Sequence, residues 1–487
     1  MSYKTIASYL GKILLLSAFF YIVPCIVALI YGEYAQIPAL AAASLVALAA
    51  GGVLLLFREK GRKLRTKESL VVVGLSWILI SAIGALPFFL DGCIPNYLDC
   101  LFETVSGFTT TGATILTNFD LPKSMHFWRA FTHWLGGMGI LVFMLAILPS
   151  QDAGSFQLMK FESPGPQVGK LVSKVRLTAT ILYLIYFVFT LSELFLLKLG
   201  GMDWFNSFIV SMSTAGTGGF ASTAESIREF DSVYIDVVVT IFMLVFSVNF
   251  NLYYLMLLKK FSSIFRDEEL RFYLLFLFGA ILAVTLDNTF RYLPYGKDFF
   301  TSLRYSAFAV TSVSSTTGFM TADFAQWSLF SQIVLLLVMC VGAMAGSTGG
   351  GLKASRFLIL LKAGRADTLG VLRPAGIHSV KYNKKQLSRE TVTGVRNYFV
   401  LYTAIFVFAC LLLSFDPNMD FLTDISAVIA CYNNVGPGLG AIVGPCGGYA
   451  PLSMLSKAVL TLIMLIGRLE IFPILLLFVP KTWSKRY

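Results

Sequence analysis

Apolar runs of about twenty residues, each long enough to cross a bilayer, alternate with polar connections along the whole chain. Two of them, near 5–30 and 37–57, form an opening pair around the turn Tyr31-Gly32-Glu33. After a basic stretch, the pattern settles into long run, short amphipathic segment, long run, and does so four times. The long runs fall near 68–90 and 126–148, 176–199 and 232–258, 270–289 and 327–365, and 393–415 and 453–480. The short segments between them lie near 97–109, 203–215, 299–315 and 420–432. This pattern predicts an all-α integral membrane protein with two N-terminal spans and four membrane–pore-helix–membrane repeats. The result is ten spans and four re-entrant pore helices around a central pore. The corresponding divisions are 1–66, 67–150, 151–262, 263–373 and 374–487.

Composition agrees. The 487 residues are 56% hydrophobic and 13% charged, far from the balance of a soluble domain. The formal net charge of +11 could suggest a nucleic-acid partner, but the basic residues are not distributed like one. They crowd alternate connections: Arg58 to Lys67, Lys160 to Arg176, Lys259 to Arg271, Lys353 to Arg396, and the tail Lys481, Lys485, Arg486. That bias predicts cytoplasmic termini and no nucleic-acid binding. The opposite face carries Asp91, Asp99, Glu103, Asp120, Asp203, Asp298, Asp416, Asp420 and Asp424, which predicts an acidic outer mouth. His126, His133 and His378 are scattered, so no metal-ligand spacing occurs. Among the cysteines, Cys93, Cys100 and Cys446 fall on the outer side, where a disulfide is open to them.

One motif recurs roughly every hundred residues, a period that suits a copied membrane hairpin rather than a solenoid unit. It reads Ser106-Gly107-Phe108-Thr109-Thr110-Thr111-Gly112, then Ser213-Thr214-Ala215-Gly216-Thr217-Gly218-Gly219, then Ser314-Ser315-Thr316-Thr317-Gly318, then Tyr432-Asn433-Asn434-Val435-Gly436. Each copy sits between a short segment and a long run. Irregular backbone at membrane depth persists only where it is buried in protein or lines a wet cavity. Glycine lets such backbone aim successive carbonyls at one axis, and carbonyl rings can replace a cation's hydration shell. Candidate ligands for a cation are therefore Thr110, Thr111, Gly112, Thr217, Gly218, Gly219, Thr316, Thr317, Gly318, Asn434, Val435 and Gly436. The bland alternative is that Gly and Thr mark helix contacts. Asp203, Asp298 and Asp420 are placed to cap the last three short helices.

Two irregularities lie on the cytoplasmic side of these copies. The run 327–365 exceeds one crossing and contains Gly346-Ser347-Thr348-Gly349-Gly350-Gly351, which predicts a break and, beneath the pore, a gate. A plain kink or a tight helix contact is the alternative. The run is no phosphate loop, since Ala354 follows Lys353. Arg468, mid-span, would oppose cation passage, or else pair with Glu470, Asn433 or Asn434. Asn249, Asn251 and the segment His133 to Gly139 read mainly as span packing.

With these motifs in view, nearly the whole chain resembles the Trk/Ktr/HKT superfamily of cation transporters, and within it the TrkH type. The resemblance rests on Thr110-Thr111-Gly112-Ala113, Thr217-Gly218-Gly219-Phe220, Thr316-Thr317-Gly318-Phe319, Asn434-Val435-Gly436-Pro437, the break at 346–351 and Arg468. It implies potassium uptake across a bacterial inner membrane, with a sodium-permeable or sodium/proton-coupled symporter as the alternative. It implies a homodimer with one pore per protomer. It also implies a cytosolic TrkA-type regulatory subunit binding NAD(H) or ATP, docked on the basic inner loops. No catalytic constellation and no resident cofactor are expected; potassium is cargo. In the family, one glycine per repeat favours potassium over sodium, and the fourth copy departs most from the pattern.

Overall fold

The computed structural model describes residues 1–57, 64–139, 175–292, 294, 298–374 and 378–484. The basic stretch at 58–63, the loop bearing Lys160, Lys170 and Lys174, the boundary at 150, the end of the expected 126–148 run, and Lys485 and Arg486 lie outside those residues. The described chain is almost entirely helical. Its only sheet among the described residues is the hairpin Lys381–Tyr382 with Lys385–Gln386.

Helix starts follow local chemistry. Ser2, Asn96, Asp203, Ser232, Asp267, Asp298, Ser328, Ser388, Asp420 and Ser453 each accept a backbone N–H from the first turn they open. Asp203, Asp298 and Asp420 thus do cap the last three short helices, while Asn96 caps the first.

Among the described residues, six helices are long and apolar enough to cross a membrane, or seven if a bent pair counts as one. The bent pair is Val233–Ser247 with Phe250–Leu257, which turn through 92°. Three expected runs fall outside this set for identifiable reasons. The run 126–148 is described only through Lys123–Gly137 and the two residues after it. The run 327–365 splits into Leu329–Val341 and Ala354–Leu372 around the glycines. The run 453–480 splits into Met454–Arg468 and Phe472–Phe478, because the chain turns through positive φ at Glu470 (59°) and Ile471 (69°) before Pro473. Pro473 was the available sequence signal for that last break.

The packing of the short helices positions the site. Tyr97–Phe108 contacts Thr66–Gly84, Lys123–Gly137 and Met454–Arg468. Trp204–Gly216 contacts Val175–Leu199, Val233–Ser247 and Lys123–Gly137. Phe299–Ser314 contacts Glu268–Arg291, Leu329–Val341 and Val233–Ser247. Phe421–Tyr432 contacts Arg389–Leu413, Met454–Arg468 and Leu329–Val341. Each short helix therefore touches its two sequence neighbours and the long helix that follows the previous short one. The fourth hands on to the first, so the order closes into a ring.

Candidate functional site

All four short helices end in the same backbone motif. The N–H groups of Thr110, Thr217, Thr316 and Asn434 donate three residues back, to Gly107, Thr214, Val313 and Cys431. Those of Thr111, Gly218, Thr317 and Val435 donate five residues back, each at 2.8 Å. This pair of bonds is the Schellman ending, which requires a left-handed residue at the turn. Thr110 (φ 55°), Thr217 (56°), Thr316 (60°) and Asn434 (55°) supply it. Two residues on, Gly112 (79°), Gly219 (77°), Gly318 (81°) and Gly436 (99°) are left-handed again, with a residue of ordinary φ between. A β-branched threonine in that region is strained by about 1–3 kcal/mol, so three such positions imply that the surroundings hold them there.

The returns interlock in the ring order of the helices. A Cβ on Gly112 would overlap the Gly218 carbonyl oxygen, one on Gly219 the Thr317 oxygen, and one on Gly318 the Val435 oxygen. One on Gly436 would come 2.5 Å from the Thr111 oxygen, which completes the circle. Gly112, Gly219, Gly318 and Gly436 all line one cavity of about 400 Å³ on the side of the helix N-termini. The structure therefore brings the twelve sequence-selected residues to one centre.

Their hydrogen bonding is one-sided. The N–H groups of the nine residues other than Gly112, Gly219 and Gly436 turn back into the helix ends, and Thr110, Thr111, Thr217, Thr316, Thr317, Asn434 and Val435 are fully buried. Among the described residues, only the Gly436 carbonyl of the twelve accepts a hydrogen bond. Buried carbonyls are rarely left without a partner. With helix C-termini converging on the same point, the arrangement suits a desolvated cation.

The outer cavity corrects one expectation. Among its described lining residues there is no carboxylate; its charged member is Arg129, held by Glu103 at 2.8 Å in a buried pair. Several outer acids cap helices, as Asp203, Asp298 and Asp420 do, or pair with bases, as Asp99 does with Lys457 and Asp236 with Arg304. Any field they exert on the mouth is therefore partly offset. Cys93, Cys100 and Cys446 are all unpaired thiols.

On the other side of the returns lies the glycine-rich break. Gly342 (φ 66°), Gly346 (75°) and Gly351 (83°) shape it. The Gly350 N–H donates to the Thr316 hydroxyl at 2.6 Å, and a Cβ on Gly349 would come 2.8 Å from the Ser315 oxygen. A Cβ on Gly350 would overlap the Asn433 oxygen, so Gly349 and Gly350 sit directly against the third and fourth returns, while Gly346, Ser347, Thr348 and Gly351 complete the loop around them. Asn249 touches Gly346 at the bend of the 233–257 pair, and the Gly346 oxygen accepts the Phe250 N–H at 3.0 Å.

Arg468 joins the two features. Its guanidinium donates to the Thr110 hydroxyl (3.1 Å) and to the carbonyls of Thr348 (2.7 Å), Gly136 (2.5 Å) and Gly137 (2.7 Å). Glu470 instead binds Arg356, so the expected alternative pairing with Arg468 is not the arrangement found. His133 lies behind the second return, its ring 4.1 Å from that of Phe220 and filling the space a Cβ on Gly218 would need.

Sequence reasoning missed three contributors. Lys353, counted with the inner docking loop, is 3% exposed and donates to the Gly349 carbonyl. Glu269 is buried and accepts from the Ala345 N–H (2.7 Å), the Ser355 N–H (3.1 Å) and the Tyr382 hydroxyl (3.0 Å), which ties the break to the hairpin at 381–386. Tyr449 donates to the Gly436 oxygen at 2.7 Å. A lone acid at the start of a helix, or a tyrosine in an outer loop, carries no signal of such contacts.

A family model described as a cation transport protein, TrkH, matches residues 36–487. The chain is 35% identical over 492 residues to the Trk system potassium uptake protein TrkH of Escherichia coli (strain K12), covering all of both chains. It is 33% identical over 465 residues to the Trk system potassium uptake protein TrkG of the same organism, covering 94% of each. The crystal structure of the potassium transporter TrkH from Vibrio parahaemolyticus superimposes with a TM-score of 0.88 at 30% identity, covering 99% of this chain and 100% of that one.

Proposed function

Because the chain belongs to the TrkH family of cation transport proteins, we propose that it takes up potassium across the bacterial inner membrane through the ring formed by its four returns. It is a multi-pass membrane transporter and not an enzyme. The carrying observation is the closed circle of glycine–carbonyl contacts, in which Gly112, Gly219, Gly318 and Gly436 each abut the next return. In this reading the carbonyls of Thr110 to Gly112, Thr217 to Gly219, Thr316 to Gly318 and Asn434 to Gly436 form the filter. An entering ion exchanges water for these oxygens, and the membrane potential drives it inward with about 2.3 kcal/mol per charge per 100 mV.

The same reading makes 346–351 the gate and Arg468 its electrostatic latch. The loop would obstruct the path below the filter, while the guanidinium adds a repulsive charge there. Support comes from the Thr348 and Gly350 contacts, in which one loop meets both Arg468 and the third return. The fold divides into a two-helix extension at 1–66 and four pore repeats at 67–150, 151–262, 263–373 and 374–487, giving ten spans with cytoplasmic termini. Function as a homodimer with a cytosolic TrkA-type NAD(H)/ATP-binding subunit belongs to this reading. The exposed Lys381, Lys384 and Lys385 of the hairpin offer it a basic surface, whereas Lys353 and Arg356 are buried and do not.

Flux from purified protein in liposomes tests the proposal. Potassium and rubidium should enter and sodium should lag, and Gly→Ser at each of the four glycines should erase that preference. Equal sodium entry by the unaltered protein would favour the sodium-permeable reading. Flux unchanged by shortening the 346–351 loop would remove the gate.

A further inference from the structure

The four returns share their backbone but not their surroundings. At Gly112, Gly219 and Gly318 the carbonyl oxygen receives no hydrogen bond from the described residues, whereas the Gly436 oxygen accepts one from Tyr449 at 2.7 Å. Tyr449 is 2% exposed and lines the outer cavity. Its ring lies 5.5 Å from that of Phe102 on the first short helix, and its N–H donates to the Thr114 oxygen at 2.8 Å. The hydroxyl also interacts with the Cys431 thiol on the fourth short helix. The tyrosine therefore spans the seam between first and fourth returns, with its polar end on a filter atom.

We propose that Tyr449 is a specificity-determining residue: by donating to Gly436 it fixes one oxygen of the outermost ring, leaving three to adjust to the ion. A carbonyl held by a donor cannot close in freely on a smaller ion, and it shares its electron density with the hydroxyl. Both effects disfavour sodium, whose dehydration demands close and strongly polar ligands. This rests on reading the four returns as the filter.

The test compares rubidium and sodium uptake into liposomes by the unaltered protein, Tyr449→Phe and Gly436→Ser. Tyr449→Phe keeps the ring and its packing on Phe102. It should lower the rubidium-to-sodium uptake ratio about three-fold or more. Phe102→Leu, which leaves the hydroxyl but loosens its support, should lower the ratio less, and keeps the test open if the first variant does not insert. The ability of potassium, against sodium, to raise the melting temperature should weaken in parallel. An unchanged ratio in Tyr449→Phe, with a collapsed ratio in Gly436→Ser, would overturn the assignment and leave the filter standing. An intact ratio in Gly436→Ser would overturn both.

Discussion

The ring of returns and the glycine-rich break touch each other, yet they are built on opposite principles. The ring is one backbone motif made four times, each copy held by its own helix ending and by contact with the next. Side chains matter little to it, which is why Asn434-Val435 can stand where the third return has Thr316-Thr317 while φ at the left-handed turn hardly changes. The glycine-rich run of the break occurs once: the bend of the 233–257 pair and the split of the 453–480 run interrupt the corresponding helices without one. It is held by individual polar side chains: Arg468, Lys353, Glu269 and the Thr316 hydroxyl. A structure set by repeated backbone geometry is hard to move, whereas one set by a few side-chain bonds can have two arrangements separated by a few kcal/mol. In the proposed reading selection and control are therefore separable, with discrimination in the ring and rate in the break.

The largest effect that sharpens this contrast is at the ring. Gly219→Ser combines a disfavoured φ with overlap on the Thr317 oxygen, and should cut rubidium uptake about ten-fold or more with loss of preference over sodium. Retained preference would break the assignment of discrimination to the ring. Next comes Arg468→Ala, expected to raise rubidium flux several-fold while the rubidium-to-sodium ratio stays put. A changed ratio would show that the two regions are not separable. Glu269→Ala removes the acceptor shared by Ala345, Ser355 and Tyr382, and should cost about 2 kcal/mol or more. Hydrogen exchange should then quicken at the Ala345 and Ser355 amides but not at Thr111 or Thr317. The smallest effect belongs to Asn434→Thr. Asparagine tolerates the left-handed turn better than threonine, and its amide donates to the Thr111 hydroxyl at 2.9 Å. The exchange should lower stability by about 1 kcal/mol and leave ion preference intact. A loss of preference there would mean the side chain, not the backbone, sets the fourth return.

Much of this protein is determined by sequence alone. Apolar run length reports membrane crossing because the bilayer leaves backbone groups no partner but each other. The recurrence of Gly112, Gly219, Gly318 and Gly436 in equivalent frames marks the irregular segments because few other residues adopt positive φ cheaply. Asp203, Asp298 and Asp420 declare helix starts because capping is a local interaction.

What only the tertiary structure decided is where distant groups meet. That the four returns close on one another depends on ring-wise helix packing, such as that of Met454–Arg468 on Tyr97–Phe108. Arg468 reaches the Gly136, Gly137 and Thr348 carbonyls rather than Glu470, and Lys353 is buried instead of facing solvent. Asp99 and Asp236 are spent on ion pairs rather than on the cavity wall, and Tyr449 singles out one of four similar carbonyls. The bonds of Arg468 and the pairs Asp99–Lys457 and Asp236–Arg304 join residues far apart in the chain through single directional contacts. Such a bond leaves no periodicity in the sequence, so only the folded arrangement reveals it.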